Sequence, residues 1–467
     1  MIKEVVKKVD LIVVGSGLSA LNFIDTYLDS HKKIHVISPK KLKKIKNKKK
    51  RILPAQMKSE QNDVDKYFYY NNFFLNNNCK VLGVLNSGGL SNYWGLQMDN
   101  EFYNDQKNIN KKLFNDIQKN FRTFLVKYGL IGQFKKNRKI IYNNNFKIPN
   151  FLQKILDLRN SELKCEKPIL AFLSKNLKMN NLNNVKEEKS KLTSKNFFNK
   201  IKKKGKIISH NYYVKKIYKD KKKIRIVCNN FDQKEVTFLA NKVVFASGTL
   251  ATTKIIIDFL KVNKEIKVKH HQRLLSVFLA KKSLRYNLDF TPSVLQIKSK
   301  SGKFCADVRP GNELITESLI DAYPFYRPFK FFFNFIKSRM IFSNILLDSS
   351  HSNIFIKKTK EKFEIYSKKT DAKDYLRQSN KKIFKFLFEN KIIFPIFKTL
   401  YPGPGADYHY FGTIPFNNNG KLSVNDKCQL KSNKNIYIID GSVFNFKSNK
   451  YPLGWVIANA RRIGKLI

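Results

Sequence analysis

Residues 9–23 read VDLIVVGSGLSALNF, and this stretch decides the predicted fold. Its first six residues form a short apolar run rich in β-branched side chains, which is typical of a strand buried on both faces of a parallel sheet. The glycine-rich stretch GSGLSA follows at residues 15–20, and apolar residues then recur at helical spacing from Leu18 to Leu28. A second apolar run spans Ile34 to Ile37. The order predicts a βαβ unit.

The stretch GSGLSA fits the dinucleotide-binding pattern G-x-G-x-x-A. Gly15 permits the tight turn, Gly17 lets the backbone approach a pyrophosphate, and Ala20 lets the helix pack closely on the strand. With a strand before it and a helix after it, the pattern predicts dinucleotide binding, with Leu18 and Ser19 also at the cofactor. The alternative is an ordinary glycine-rich βα turn.

The residue expected to bind the ribose hydroxyls is missing. A carboxylate should close the second strand, but this chain has Ser38 there, followed by Pro39 and Lys40. A serine hydroxyl is a weaker acceptor than a carboxylate. Ser38 therefore predicts weaker cofactor binding.

The chain has 467 residues, with 91 Lys and Arg against 35 Asp and Glu, which gives a formal charge of +56. A hydrophobic content of 42% excludes disorder throughout, and the length predicts two or three packed units. So large a basic excess attracts nucleic acid, anionic lipid or phosphorylated substrates. However, Lys, Asn, Ile, Phe and Tyr share A/T-rich codons, so nucleotide composition is the favoured explanation. The densest basic run, residues 40–51, is expected to be a surface loop.

Targeting and redox signals predict a cytoplasmic protein. No apolar run is long enough to cross a bilayer, and the first ten residues lack the features of a secretory signal. The five cysteines are scattered, so neither a disulfide framework nor a metal site is expected. Peripheral contact with the inner membrane surface stays open.

Four segments together resemble the glucose-methanol-choline family of flavin oxidoreductases. They are the amino-terminal GSGLSA, the stretch GGLSNYWG at residues 88–95, the stretch KVVFASGTLATTKII at residues 242–256, and the carboxyl-terminal stretches HYFGT, IYIIDGSVF and YPLGWVIANARRIG within residues 409–464. The second segment is similar in style to pyranose oxidase-like and sugar-acid dehydrogenase-like members. At the position where pyranose oxidase bonds its flavin through a histidine, this chain has Tyr93, so the resemblance implies noncovalent FAD.

The resemblance implies that His409, in HYFGT, is the general base. In relatives this histidine takes the hydroxyl proton of an alcohol while a hydride passes to flavin N5, and a neutral imidazole suits that task at pH 7. We expect the other histidines to be structural or on the surface: His31, His35, His210, His270, His271 and His351.

Relatives place a second His or Asn just before the proline of the last segment, where this chain has Tyr451. Three interpretations stay open. Tyr451 orients the substrate, or Asn449 reaches in from two residues earlier, or alcohol oxidation has been lost. Cofactor contacts are implied for Gly15, Gly17, Leu18, Ser19, Ala20, Ser38, Gly88, Gly89, Ser91, Asn92, Tyr93, Trp94, Val214, Ser247, Gly248, Asp440, Gly441, Pro452 and Leu453.

The predicted fold class is α/β, with an α+β substrate part. Residues 1–100, 201–265 and 405–467 are expected to form a discontinuous Rossmann-type FAD-binding domain. Residues 101–200 are expected to form a helical insertion, and residues 266–404 a substrate domain with an antiparallel sheet. The implied reaction oxidises a hydroxyl group of a sugar or polyol, free or linked to a nucleotide or lipid, with an unidentified electron acceptor.

The stretch YPFYRPFKFFFNFIKSRMIF, residues 323–342, lies outside this resemblance. It combines many aromatic residues with four basic ones. Packing as core or lid of the substrate domain is favoured over docking on an anionic membrane and over stacking on nucleic acid.

Two alternative functions are retained. One is a flavin-dependent isomerase, mutase or lyase on the same fold, which the tyrosine at position 451 makes plausible. The other is a noncatalytic basic protein that binds RNA or an anionic membrane, although nucleic acid is the less favoured partner. Flavin reduction by substrate and salt-dependent binding distinguish them.

Overall fold

The structure is a computed structural model of the 467-residue chain. Most of the two ends of the chain and its centre are described, while parts of the predicted helical insertion and the basic run at residues 41–51 are not. The described residues are 6–40, 53, 55–76, 79–99, 109–128, 132–136, 139–143, 148, 150–156, 158, 160–173, 191–230, 234–284, 293–360, 362–447, 449 and 451–467.

Strands extend through nearly the whole described chain. In chain order they are β1 Val6–Val14, β2 Lys33–Ile37, β3 Phe73–Leu75, β4 Gln97–Met98, β5 Gly132–Lys136, β6 Lys139–Asn143, β7 Leu163–Glu166, β8 Ile169–Leu170, β9 Lys206–His210, β10 Tyr213–Asp220, β11 Lys223–Asn229, β12 Glu235–Phe245, β13 Ile266–Val268, β14 Arg273–Ala280, β15 Leu295–Ser299, β16 Phe304–Pro310, β17 Met340–Leu347, β18 Ile354–Thr359, β19 Lys362–Ser367, β20 Ile393–Leu400, β21 Gln429–Leu430 and β22 Asn433–Ile438.

Helices alternate with these strands at both ends of the chain. They are α1 Leu18–Tyr27, α2 Gln61–Tyr70, α3 Lys111–Tyr128, α4 Asn150–Leu156, α5 Ser194–Ile201, α6 Thr249–Phe259, α7 Glu313–Ala322, α8 Lys330–Ile336, α9 Ala372–Glu389 and α10 Leu453–Leu466. The protein is therefore a mixed α/β structure, as predicted. The βαβ unit predicted at the amino terminus is confirmed, because β1, α1 and β2 follow one another and β1 pairs with β2 in parallel.

The first sheet has the strand order β10-β11-β12-β1-β2-β9. β12, β1, β2 and β9 are parallel neighbours, and β22 adds a further parallel strand beside the carboxyl-terminal part of β12. β10 pairs antiparallel with β11, and β11 pairs antiparallel with β12, so a meander of three strands is part of this sheet. The sheet thus joins strands from both ends and the middle of the chain.

Helices α1, α3, α5 and α10 pack together beside this sheet. Every residue of α1 is buried. α10 approaches it closely at Gly464, where a Cβ would lie 2.3 Å from Thr26 Oγ1. Between them the buried carboxylate of Asp25 accepts a 2.6 Å hydrogen bond from Arg461, and Lys204 pairs with it at 2.7 Å.

A second sheet has the order β20-β14-β17-β16-β15-β7, and every neighbouring pair is antiparallel. Side chains of α9 such as Leu376 and Ile383 fill a core with alternate residues of β14 and β17. A third, four-stranded sheet has the order β13-β18-β19-β3 and packs with α2 and α6. The predicted antiparallel sheet in residues 266–404 is therefore present.

Two expectations about chain organisation need correction. The stretch 101–200 is not only helical, because it also contains β5, β6, β7 and β8, and β7 pairs with β15 at the edge of the second sheet. The phenylalanines of residues 323–342 do not all pack as core, because Phe331 and Phe335 are 85% and 80% exposed, whereas Met340 and Ile341 at the start of β17 are buried; the lid alternative stays a prediction. Polar residues within β5 to β7 made these strands hard to predict from the sequence. Aromatic content alone does not predict that a segment is buried.

The proposed domain boundaries stay predictions. In the described part of the chain, no helix is both long and apolar enough to cross a membrane. Apart from Lys40, the basic run at residues 40–51 lies outside the described residues, so its expected loop structure stays a prediction.

Candidate active site

The glycine-rich turn brings three parallel strands together at their carboxyl ends. Gly15 has a φ of +114°, and a Cβ on it would lie 2.3 Å from the carbonyl oxygen of Ala246, which follows β12. Its N–H donates a 2.9 Å hydrogen bond to the carbonyl of Ile37 at the end of β2. Only glycine fits this position, because a side chain would clash with backbone and strain φ.

A cavity of about 520 Å³ opens at these strand ends. One of its sides is formed by the turns that follow β1, β2 and β12, and another by the face of the second sheet. The size lies within the usual range for small-molecule and cofactor sites, about 300–1,000 Å³. The predicted site residues that line it are Gly15, Gly17, Leu18, Ser19, Ser38, Gly88, Gly89, Ser91, Tyr93, Trp94, Val214, Ser247, Gly248, His409, Asp440, Gly441, Tyr451, Pro452 and Leu453.

Helices α1, α6 and α10 each begin at this cavity, after Gly17, Gly248 and Pro452. In these described helices, the residue before the first turn makes no side-chain cap and no acidic residue occurs in that turn, although Ser91 Oγ accepts the first N–H of α1. The first N–H groups of a helix lack intrahelical acceptors and carry partial positive charge. The cavity is therefore suited to an anionic ligand such as a pyrophosphate.

The segment that carries GGLSNYWG forms a wall of the cavity. Ser91 Oγ accepts a hydrogen bond from the N–H of Leu18 at 3.1 Å and donates to the carbonyl of Gly88 at 2.7 Å. Trp94 Nε1 donates to the carbonyl of Leu192 at 2.8 Å. Burial raises the pKa of Tyr93 to about 12, so the phenol stays protonated. These bonds attach the segment to the start of α1.

Ser38 lines the cavity but its hydroxyl already has a partner. Its Oγ lies 2.6 Å from Ser16 Oγ, and Ser16 Oγ in turn accepts from the N–H of Gly88 at 2.9 Å. The side chain links the first turn to the GGLSNYWG segment. Its capacity to bind a ribose hydroxyl is correspondingly reduced.

Asp440 holds the turn after β22 against the start of α6. Its carboxylate accepts from the N–H of Gly248 at 3.1 Å, from Thr252 Oγ1 at 2.5 Å and from the N–H of Ser442 at 3.1 Å. Burial raises the pKa of Asp440, while these hydrogen bonds act in the opposite direction. Gly441 sits where a Cβ would lie 2.8 Å from the carbonyl of Tyr410. Asp440 therefore shapes the cavity wall.

His409 faces the cavity from the segment between β20 and β21. Its side chain is 27% exposed, and Tyr451 lies edge-on to it with ring centroids 5.1 Å apart. Burial lowers the pKa of His409 to about 4, helped by Arg273 and His271, while Asp407 acts in the opposite direction. The imidazole is therefore neutral at pH 7 and able to accept a proton.

Backbone strain accompanies this placement. Tyr408, the residue before His409, has a φ of +65°, which a non-glycine residue adopts at a cost of about 1–3 kcal/mol. The Arg273 guanidinium lies 4.9 Å from the centroid of the Tyr408 ring. Arg273 also donates a 3.3 Å hydrogen bond to the Tyr408 hydroxyl. The stacked arginine fixes Tyr408 and hence the direction of His409.

The carboxylate of Asp407 lies among three histidines. Its Oδ2 accepts from the N–H of His271 at 2.7 Å and lies 3.9 Å from His409 Nδ1, while Oδ1 lies 3.5 Å from His270 Nδ1. Burial alone would raise the pKa of Asp407, but the His270 bond and the histidine charges lower it below its usual value. His270 and His271 are fully buried, so they are not surface residues.

Tyr451 does not present its proton to the cavity. Its hydroxyl donates to Asp307 Oδ2, and burial raises its pKa well above the usual value. Asp307 also accepts from Gln97 Nε2 at 2.9 Å and from an Arg309 NH group at 2.6 Å. The interpretation that Tyr451 orients a substrate stays a prediction, and in the structure its hydroxyl already donates its hydrogen bond to Asp307. Its oxygen is left only the role of acceptor.

Three predicted residues do not line the cavity. Ala20 is buried beneath α1, in keeping with its predicted packing role. Asn92 instead holds its own segment, because its side chain donates to the carbonyl of Ser87 at 2.9 Å and accepts from the N–H of Lys195 at 3.2 Å. Asn449 is 2% exposed, so it does not reach the substrate side.

Sequence reasoning missed the polar residues of the second sheet. The cavity is lined from β14, β16 and β17 by Arg273, Arg309 and Asn344. Asp407 also lines the cavity, and Asp307 lies behind the lining. The alternating burial of β14 is the only available signal, because polar Arg273 falls on its half-buried face. Which strands adjoin β14 could not be read from the chain.

The search with protein-family models finds no match to this chain, and neither does the search of curated proteins.

Proposed function

We propose that the chain is an FAD-dependent oxidoreductase of the glucose-methanol-choline type, which oxidises a CH–OH group of a sugar or polyol to a carbonyl. One observation carries this proposal. A neutral histidine, His409, shares a single cavity with the Gly15 turn and with the starts of α1, α6 and α10. A base and a dinucleotide-sized anion site in one cavity support flavin-linked alcohol oxidation.

The cavity walls fit a noncovalent flavin dinucleotide bound through a Rossmann-type sheet. Gly17 leaves room at the start of α1, since a Cβ there would contact Ser91 Oγ at 3.4 Å. The helix starts suit a pyrophosphate. The fit is weakest at Ser38, where the ribose would meet a paired hydroxyl and no carboxylate. We expect measurable but moderate affinity for FAD.

The chemistry divides between the cofactor and the chain. FAD, when bound, supplies an acceptor for the two electrons that leave the alcohol carbon. His409 takes the hydroxyl proton because its imidazole is neutral, and the part of the ring that faces the cavity does so, since Nδ1 is buried on the side of Asp407. Asp407 stabilises the imidazolium that results. The polar face that includes Arg309 and Asn344 orients the substrate oxygens.

A spectrum followed by a substrate screen tests this proposal. We expect the purified protein to be yellow and to release its colour on acid precipitation. Anaerobic addition of the correct sugar or polyol should bleach the flavin, and His409→Asn should keep the colour but lose the bleaching. A yellow protein whose bleaching survives in His409→Asn would contradict the role of His409.

A second candidate on the same fold is a flavin-dependent isomerase, mutase or lyase. The Tyr451 hydroxyl donates to Asp307, so the second hydrogen-bond donor expected beside His409 is missing. This favours the second candidate. Net oxidation leaves reduced flavin without oxygen, whereas isomerisation or elimination does not. Product formation with persistent yellow colour would support this candidate.

We propose a cytoplasmic location, with an electron acceptor that is not identified. The five cysteines support it, since each is an unpaired thiol in the structure. Burial raises the pKa of Cys79 and of Cys165 to about 12, so both stay protonated and unreactive. Peripheral contact with a membrane remains part of the proposal.

A further inference from the structure

Five phenylalanines stand exposed on one short segment of the chain. Phe325 and Phe329 are 62% and 57% exposed in the 3-10 turn before α8, and in α8 Phe331, Phe332 and Phe335 are 85%, 56% and 80% exposed. We call these five residues the aromatic face. So many large apolar side chains in eleven residues exceed what isolated surface exposure explains.

The apolar surface continues onto the neighbouring edge strand. Tyr323 OH donates to the carbonyl of Thr399 in β20 at 3.1 Å, and Lys398 Nζ lies 5.2 Å from the Tyr323 ring centroid. On the same strand, Ile396, two residues from Lys398 and so on the same face, is 62% exposed. β20 is the last strand in its sheet order, so this surface lies at an edge.

Basic residues flank the aromatic face within its own segment, whereas the acidic residues Glu313, Glu317 and Asp321 lie on α7, which packs against α8. Arg327, Lys330, Lys337 and Arg339 occur within residues 323–342, which include no Asp or Glu. Lys337 pairs with Glu313 of α7 at 3.2 Å, but both side chains are substantially exposed, so solvent weakens the pair. Phenylalanines flanked by basic residues match the interfacial region of a bilayer, with apolar rings below and anionic headgroups above.

We propose that the aromatic face docks on the surface of an anionic lipid bilayer. A second copy of the chain is a poor occupant, because both copies would bring the same basic residues together on molecules of charge +56. Nucleic acid fits less well, because aliphatic Ile396 belongs to the surface and offers no ring for base stacking.

The position of the aromatic face gives docking a consequence for the cavity. Leu319, Tyr323, Lys398 and Thr399 line the cavity, and Tyr323 directly precedes the aromatic face. A docked molecule therefore holds this side of the cavity at the membrane. This step rests on the proposed function and indicates a substrate attached to a lipid, such as a lipid-linked sugar. Docking itself does not depend on flavin chemistry.

Flotation of the full chain with vesicles tests docking. The probe is vesicles of phosphatidylcholine with or without phosphatidylglycerol. We expect flotation with anionic vesicles, weakened by salt, and at least a tenfold loss of partitioning in Phe331→Ser/Phe335→Ser. The matched control is Phe74→Ser/Val126→Ser, which removes exposed apolar residues elsewhere, 57% and 69% exposed, and should leave partitioning unchanged.

A fluorescent single variant tests docking independently, in case the double variant misfolds. Phe331→Trp should show a blue-shifted emission and quenching by brominated lipid when anionic vesicles are added. Unchanged emission, equal flotation of Phe331→Ser/Phe335→Ser, or binding to single-stranded RNA without binding to vesicles would each overturn the proposal. Loss of flavin binding in the same preparation would affect the proposed function and leave the docking result intact.

Discussion

His409 is the residue on which the proposed chemistry depends, and its properties come from its surroundings. Burial disfavours the imidazolium, and Asp407 opposes this without reaching hydrogen-bond distance in the structure. His409 could be singled out from the sequence because it begins a recognisable stretch, HYFGT. Its Asp407 neighbour two residues earlier could not, because a buried carboxylate among histidines arises only when β14 and residues 407–409 meet.

Replacing His409 should remove proton transfer while leaving cofactor content unchanged. We expect His409→Asn to lower kcat by about 10²- to 10⁴-fold, the usual contribution of a general base. Flavin absorbance per mole of protein and thermal melting report cofactor content and folding. His351→Asn, on a partly exposed histidine outside the cavity, serves as control and should retain full activity. Equal losses in both variants would exclude a specific role.

The low pKa of His409 predicts an unusual pH dependence. The base is active when neutral, so kcat/KM should stay level from pH 7 down to about 5 and fall only as the pH approaches about 4. An ordinary histidine would lose activity near its unperturbed pKa of about 6.5. Asp407→Asn should move the fall to lower pH, because the carboxylate raises the pKa of His409. A midpoint near 6.5 would contradict the assignment.

The surroundings of Tyr451 and Asn449 could not be predicted from the sequence. Their positions before Pro452 were identified, but Asp307, which takes the Tyr451 proton, lies 144 residues away in the chain. The burial of Asn449 likewise depends on packing between distant segments. Hydrogen-bond partners of this kind follow from the tertiary structure and leave no local pattern.

The turns that precede α1, α6 and α10 shape the cavity. The βαβ unit at the amino terminus was predicted, because a continuous apolar run ending in glycine is a strong local signal. The strands β5 to β8 were missed, because each is only two to five residues long. β7 and β8 pair with strands far away in the chain, whereas β5 and β6 pair with each other.

Gly248→Ala should weaken cofactor binding beyond its effect on stability. Gly248 has a φ of +87°, and a Cβ there would meet nothing within 4 Å but would project where the cavity lining lies. Gly302, with a φ of +75° and equally open surroundings away from the cavity, is the matched control. Both alanine variants should lose about 1 kcal/mol of stability. Only Gly248→Ala should bind FAD about tenfold more weakly in a titration.

The ion pair between α1 and α10 should contribute strongly to stability. Asp25→Asn leaves Arg461 buried without its carboxylate, and we expect a loss of about 3–5 kcal/mol in the free energy of unfolding. Asp29→Asn also removes a partner of Lys204, but its side chain is 55% exposed, so less than about 1 kcal/mol should be lost. Urea unfolding measures both. Similar effects would contradict the account.

The same ion pair predicts the direction in which the stability of the protein changes with pH. Burial tends to raise the pKa of Asp25, but Arg461, Lys204 and Tyr128 outweigh it and lower the pKa below 3.8. The stabilisation is therefore present at neutral pH and is lost as the pH falls below that value. The difference between wild type and Asp25→Asn should shrink in acid.

The whole molecule combines a parallel sheet built from distant segments, an antiparallel sheet above its strand ends, and an exposed aromatic face beside the shared cavity. Sequence patterns could identify the first two components. They could not show that the aromatic face points outward, since a run of phenylalanines looks the same in a core and on a surface. The charge of +56 has no single structural focus among the described residues.

The visible absorbance spectrum of the purified protein, recorded before and after acid precipitation, tests the central claim most directly. We predict a flavin spectrum that passes into the supernatant, as a noncovalent cofactor requires. A colourless protein that also fails to take up added FAD would contradict the account. The paired hydroxyl of Ser38 would then mark the loss of the cofactor site.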